Sequence, residues 1–148
     1  MSHSALSEQE IIRREKLKSL GSLGIDAYPA AAYPVNSHAV FIKSHYTEDK
    51  KEEFASVCLA GRIMSIRDMG KASFAVIQDS SGRIQLYIKR DDIAAGEDKS
   101  LYDKVWKHLI DLGDIIGVKG YVFITKTGEI SVHVRELTLL SKALRPIP

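Results

Sequence analysis

The stretch KASFAVIQDSSGRIQLYIKR, Lys71–Arg90, alternates apolar and polar residues on either side of a Ser80-Ser81-Gly82 turn, the pattern of two half-buried strands joined as a hairpin. Successive strand residues face opposite sides of a sheet. With Ala75, Ile77, Ile84, Leu86 and Ile88 turned to a core, Phe74, Arg83, Gln85 and Tyr87 are left on the outer surface. A one-residue slip would reverse every assignment and bury Phe74. The reading is therefore a definite expectation about where that ring points.

Outward from this hairpin the same period predicts strands near Ser56–Met69, Ala72–Asp79, Arg83–Arg90, Asp114–Ile124 and Ile130–Leu140, punctuated by Gly70 and by the Lys126–Glu129 turn, KTGE. Between the third and fourth strands, Asp98–Leu109 carries Leu101, Val105 and Leu109 at helical intervals with Trp106 alongside. Five strands with a helix between the third and fourth is the order of an OB-fold barrel. The expected fold is thus mainly β: a five-stranded OB-fold barrel over residues 54–148, preceded over residues 1–53 by an N-terminal helical extension and connector. In that extension Ser7–Gly24 reads as a helix, capped by Ser7 with Glu10 and carrying Ile11, Ile12, Leu17, Leu20 and Leu23 on its apolar face. Arg13, Arg14, Lys16 and Lys18, interleaved with Glu8, Glu10 and Glu15, read as its solvated face. A second short helix is expected within Ser37–Tyr46, then a solvated turn over Thr47–Glu53.

A chain of 148 residues, 45% hydrophobic and 27% charged, suits one packed domain with flanking segments. Its net charge of +2 is too small to mark the whole surface as a polyelectrolyte binder. Residues 57–90, however, hold six basic side chains against two acidic ones, so the balance hides a local basic face suited to a phosphate backbone. The single Cys58 excludes an internal disulfide and reads as a packing residue, and the five histidines show no ligand spacing, so no metal is expected. No run approaches the roughly 18 apolar residues of a membrane span, and the acidic, polar start is unlike a signal peptide; a cytoplasmic protein is expected, with no membrane partner. Gly113, Gly117 and Gly120 lack the spacing of a phosphate cradle, and no paired acid, base or nucleophile supports a hydrolase. No catalytic residue is assigned.

Single-stranded nucleic acid is read by stacking bases on aromatic rings, by hydrogen bonds to base edges, and by cations along the backbone. Phe74, Gln85 and the arginines supply these three functions. The Gln85 carboxamide carries a donor and an acceptor that complement uracil. A carboxylate at Glu129, on the hairpin joining the last two strands, accepts an N–H such as that of uracil but faces a lone pair on cytosine N3. Arg62, Lys71 and Arg83 are candidate phosphate contacts.

The string RDMGKASFAVIQDSSGRIQLYI, Arg67–Ile88, with KTGEISVHVRELTLLSKALRPIP, Lys126–Pro148, resembles bacterial-type class II lysyl-tRNA synthetase, and EQEIIRREKLKSLGSLGIDAYP, Glu8–Pro29, resembles that family's amino-terminal extension. The resemblance implies an anticodon-binding domain in which Phe74 stacks on the central anticodon uridine of tRNA(Lys), Gln85 and Arg67 contact that base or its surroundings, and Glu129 helps to read a neighbouring uridine. The family commonly has two adjacent basic residues before the MGK string, where this chain has Ile66, Arg67 and Asp68. Class II catalytic signatures do not occur in the 148 residues, so the resemblance also implies an absent catalytic domain in a homodimeric parent enzyme using ATP and magnesium. A reading from another class is a free-standing single-strand binder without base preference.

Overall fold

The alternating segments close into a barrel in the computed structural model, which describes residues 8–22, 33–94 and 96–143. Strands β1 (Val57–Asp68), β2 (Ala72–Gln78), β3 (Arg83–Lys89), β4 (Ile115–Ile124) and β5 (Ile130–Ser141) run in the order β1-β2-β3-β5-β4, and β4 returns to β1. Every pairing is antiparallel except β3 with β5, which is parallel. The five strands expected from sequence are thus present, with no boundary shifted by more than one residue.

Ala75, Ile77, Ile84, Leu86 and Ile88 lie inside with at most 1% exposure, as the alternation required. Burying the four larger side chains is worth about 1.5–3 kcal/mol each, roughly 6–12 kcal/mol together, comparable with a domain's whole net stability of about 5–15 kcal/mol. The hydrophobic pattern therefore fixes the register, and with it the outward direction of Phe74. Glycine is required where β5 bulges at Arg135 opposite Lys119 and Gly120, because a Cβ on Gly120 would lie 1.9 Å from the His133 carbonyl oxygen. Gly128 takes φ +90° in the β4–β5 hairpin, a left-handed conformation that other residues adopt only with strain.

Helix α1 spans Glu8–Ser22, while Ser7, Leu23, Gly24, Tyr28, Pro29 and the LRPIP string lie outside the described residues. Its packing corrects the solvated-face reading for Arg13 and Lys16, while Arg14 and Lys18 are exposed as read. Ile11 and Ile12 are exposed, whereas Arg13 and Leu20 are buried and Lys16 is half-buried, forming one face at i, i+3 and i+7. That face is partly cationic because it meets carbonyls and a carboxylate. Arg13 donates to the Leu112 and Ala143 carbonyls, and the Lys16 ammonium lies 2.7 Å from Asp111. Helix α2 (Ala39–His45) receives its N-terminal cap from the β2–β3 turn, where Asp79 accepts the Ala39 N–H. Leu20 and Ile42 belong to the same apolar cluster as the barrel interior.

After β3 the chain turns into a short helix, α3 (Arg90–Ile93), one residue before the expected strand end. Helix α4 (Leu101–Leu109) closes the barrel with π-type geometry, the Ile110 N–H donating to the Val105 carbonyl. The wider turn moves the buried face away from a simple every-fourth-residue stripe: Leu101 and Leu109 are half-buried, while Tyr102, Val105 and Trp106 are buried. Tyr102 donates to the Gly70 carbonyl and pairs with Ser73 Oγ, holding the β1–β2 turn from beneath.

Candidate nucleic-acid interface

Register builds the site. Arg67 on β1 pairs across to Phe74 on β2, Phe74 to Tyr87 on β3, Tyr87 to His133 on β5, and His133 to Tyr121 on β4. Residues paired across strands share a face, so one row of side chains crosses the outside of the barrel. Ring centroids are 5.2 Å apart for Phe74–Tyr87 and for Tyr87–His133, and 4.7 Å for His133–Tyr121. The Arg67 guanidinium lies 5.4 Å from the Phe74 centroid, a cation–π contact that keeps it beside the ring.

Asp68 does not neutralise that arginine. The Gly70 N–H, followed by the Lys107 ammonium, engages the Asp68 carboxylate and holds its pKa below the ordinary value. The same residue fixes the β1–β2 turn in an Asx geometry. Arg67 is thereby left to the aromatic row.

Arg67, Met69, Phe74, Gln85 and Tyr87 line a concavity of about 480 Å³, within the range that holds small ligands. Its far wall is Phe123 of β4 with Thr125, Lys126 and Thr127 of the following hairpin. The surface expected from β1–β3 alone is therefore completed by the β4–β5 hairpin. Phe123 sits 6.1 Å from Tyr87, centroid to centroid.

Gln85 is pinned. Ser131, fully buried, donates from Oγ to the Glu129 carbonyl and accepts from Gln85 Nε2 at 3.1 Å. Because the hydroxyl proton is already committed, the amide must turn its nitrogen to Ser131, leaving Oε1 free for the groove.

The remaining sequence candidates fall at different distances from this centre. Glu129 lies on the hairpin with an exposed side chain, its carbonyl taken by Thr125 N–H and Ser131, but it does not line the concavity. Lys71 is exposed in the β1–β2 turn at the Phe74 end of the sheet. Arg62 and Arg83 both flank Gln78, four residues from Phe74 along β2 and so about 13 Å away. Arg62 donates to the Gly113 carbonyl and Arg83 to the Gln78 amide oxygen. Arg90 leaves the basic face altogether through a two-pronged pair with Asp103.

Sequence reasoning missed Phe123, Ser131, Tyr121, His133 and Arg135 as parts of this surface. The outward alternation applied to β2 and β3 picks out Tyr121, Phe123, His133 and Arg135 when it is carried along β4 and β5. Among the described residues no three His, Cys, Asp or Glu side chains are grouped to hold a metal, and no helix is long and apolar enough to cross a membrane.

Comparison with known proteins agrees with this geometry. A tRNA anticodon family model, described as an OB-fold nucleic acid binding domain, matches residues 57–140. The chain is 58% identical over 143 residues to the lysine-tRNA ligase of Porphyromonas gingivalis, covering 97% of this chain and 25% of that protein. The ligases of Azobacteroides pseudotrichonymphae and Christiangramia forsetii are 57% and 52% identical, each over 97% of this chain and over 28% and 24% of their own lengths. The chain spans about a quarter of the length of the curated relatives it matches.

Proposed function

Given that this chain belongs to the tRNA anticodon family of OB-fold nucleic acid binding domains, we propose that it reads the anticodon loop of tRNA(Lys) as one part of a longer lysine-tRNA ligase. The observation that carries this reading is a half-buried outward ring, Phe74, sharing a groove with a carboxamide held in one orientation. Phe74 is the platform for the central anticodon uridine, and Arg67 keeps a positive charge over the ring beside it. Gln85 offers Oε1 to uracil N3–H and its second amide hydrogen to the adjacent carbonyl. Glu129 reads a neighbouring uridine from the hairpin. Lys71 meets the backbone beside this base, while Arg62 and Arg83 serve a strand that continues along β2 and β3.

The aminoacylation itself, with ATP, magnesium and the class II catalytic domain, belongs in this proposal to the rest of such a ligase, as does homodimerisation; its place is the cytoplasm, where tRNA is charged. A free-standing binder without base preference gains no support, since the three relatives described are all ligases.

The pinned amide makes a sharp prediction. Cytosine presents donor and acceptor in the reverse order to uracil, so an amide free to flip serves either base and a fixed one serves only one of them. In a competition between hairpins with uridine and cytidine loops, the chain should favour uridine, and Ser131→Ala should reduce that preference by about 1 kcal/mol, the worth of one hydrogen bond. Equal binding of the two loops by the unaltered chain would contradict the anticodon reading.

A further inference from the structure

At the opposite end of the aromatic row from Phe74 stands a second cation. The Arg135 guanidinium lies 4.8 Å from the Tyr121 centroid, and Tyr121 in turn stacks on His133 with only 18° between the planes. A chain of hydrogen bonds holds this stack. His133 Nε2 bonds the Asp92 carboxylate and Nδ1 bonds the Tyr121 hydroxyl at 2.9 Å. A carboxylate only accepts, so Nε2 carries a proton, and the Tyr121 hydroxyl at Nδ1 completes the chain, so the ring is fixed from both sides.

Arg135 is exposed, and among the described residues it makes no ion pair. The ring contact takes up none of its N–H groups, and among the described residues none donates to the protein, which leaves them for a phosphate gripped by two parallel bonds. Arg62 and Arg83, by contrast, already have donors committed to the protein. Lys51, Lys89 and Lys119 border the three concavities that meet at Arg135. Of the carboxylates there, Asp91 lies within ion-pair distance of Lys99, which leaves Asp92, Glu52 and Glu136 against Arg135 and the three lysines, a local excess of positive charge.

We propose that Arg135, preorganised on Tyr121, binds a backbone phosphate of the RNA strand flanking the nucleotides read at Phe74. The inference rests on the anticodon reading and extends it to a contact on β5. Tyr121 is three strand spacings from Phe74, about 14 Å along the barrel surface, well within the ~4–16 nucleotides that one OB barrel engages.

The test compares the 148-residue chain with its Arg135→Gln, Arg135→Lys and Lys104→Gln variants, each checked for an unchanged thermal melt, in titrations of a uridine-loop hairpin across a salt series. Arg135→Gln should bind about five-fold more weakly at about 0.1 M salt and flatten the log–log salt dependence by about 0.7, the share of one phosphate on a single strand. Its uridine-over-cytidine preference should not change, because a phosphate contact carries no base information. Arg135→Lys should keep the salt slope and lose part of the affinity, and Lys104→Gln, which removes an exposed charge from α4, should match the parent. Arg135→Gln that binds like the parent with an undiminished salt slope overturns the contact while leaving the anticodon reading standing. Failure of the parent chain itself to bind the hairpin overturns both.

Discussion

Replacing Phe74 by alanine should weaken binding of a uridine-loop hairpin by about 1–3 kcal/mol, the usual cost of losing one base stack. The ring points away from the barrel interior and is flanked by Tyr87 and Arg67, so its loss removes a platform without opening a core cavity. Folding stability should fall much less than affinity. Isothermal titration of the variant alongside a thermal melt separates the two. A melt lowered as steeply as the affinity would mean that the side chain is structural, and unchanged affinity would remove the platform from the account.

The largest effect on stability should come from Lys142, far from the groove. Its ammonium is 2.7 Å from both Asp111 and Asp114, with 1% of its side chain exposed and none of the Asp114 side chain. Asp114 also accepts the Asp111 and Ala143 N–H groups, and Lys16 of α1 reaches Asp111, so this cluster ties helix α1 to the end of β5. Removing one partner of a buried pair leaves a charge uncompensated and costs about 3–5 kcal/mol. Lys142→Met should therefore lower the melting temperature by roughly 10 °C. Lys16→Met, which breaks a partly exposed pair, should cost about 1 kcal/mol or less. Burial pushes the Asp111 carboxyl up, but its bonds to Lys142 and Lys16 more than offset this and hold it below its ordinary value. A carboxyl lowered in the folded state stabilises above its unfolded pKa of about 3.9 and loses that contribution as pH falls through the folded value. The gap between parent and Lys142→Met should accordingly be wide at neutral pH and narrow in acid. A gap independent of pH would show that packing, not charge, makes Lys142 matter.

The barrel was legible because its information is local. Alternation in Ala72–Gln78 and Arg83–Lys89 and the turn glycines at 70 and 128 define strands and hairpins without knowledge of the rest of the chain, and the outward direction of Phe74 and Gln85 follows from the same count. What the sequence hid depends on distant register. His133 reaches Tyr87 only through the parallel β3–β5 pairing, and no local pattern announces which residue of β5 stands beside which residue of β3. Arg13 and Lys16 looked like solvated charges because a helix face that docks on carbonyls and a carboxylate has no hydrophobic signature. Asp68 follows Arg67 directly, and only the fold of the turn shows that Gly70 and Lys107 take its carboxylate. The stripe expected in α4 was displaced because a π-type turn changes the helical period that the stripe assumes.

The central claim is that a uracil lies on Phe74. Nuclear Overhauser spectra of the chain bound to a uridine-loop hairpin test it most directly. The account predicts contacts between the Phe74 ring protons and H5 and H6 of the central loop uridine. Contacts from those base protons to another part of the barrel, with the Phe74 ring signals unmoved on binding, would contradict it.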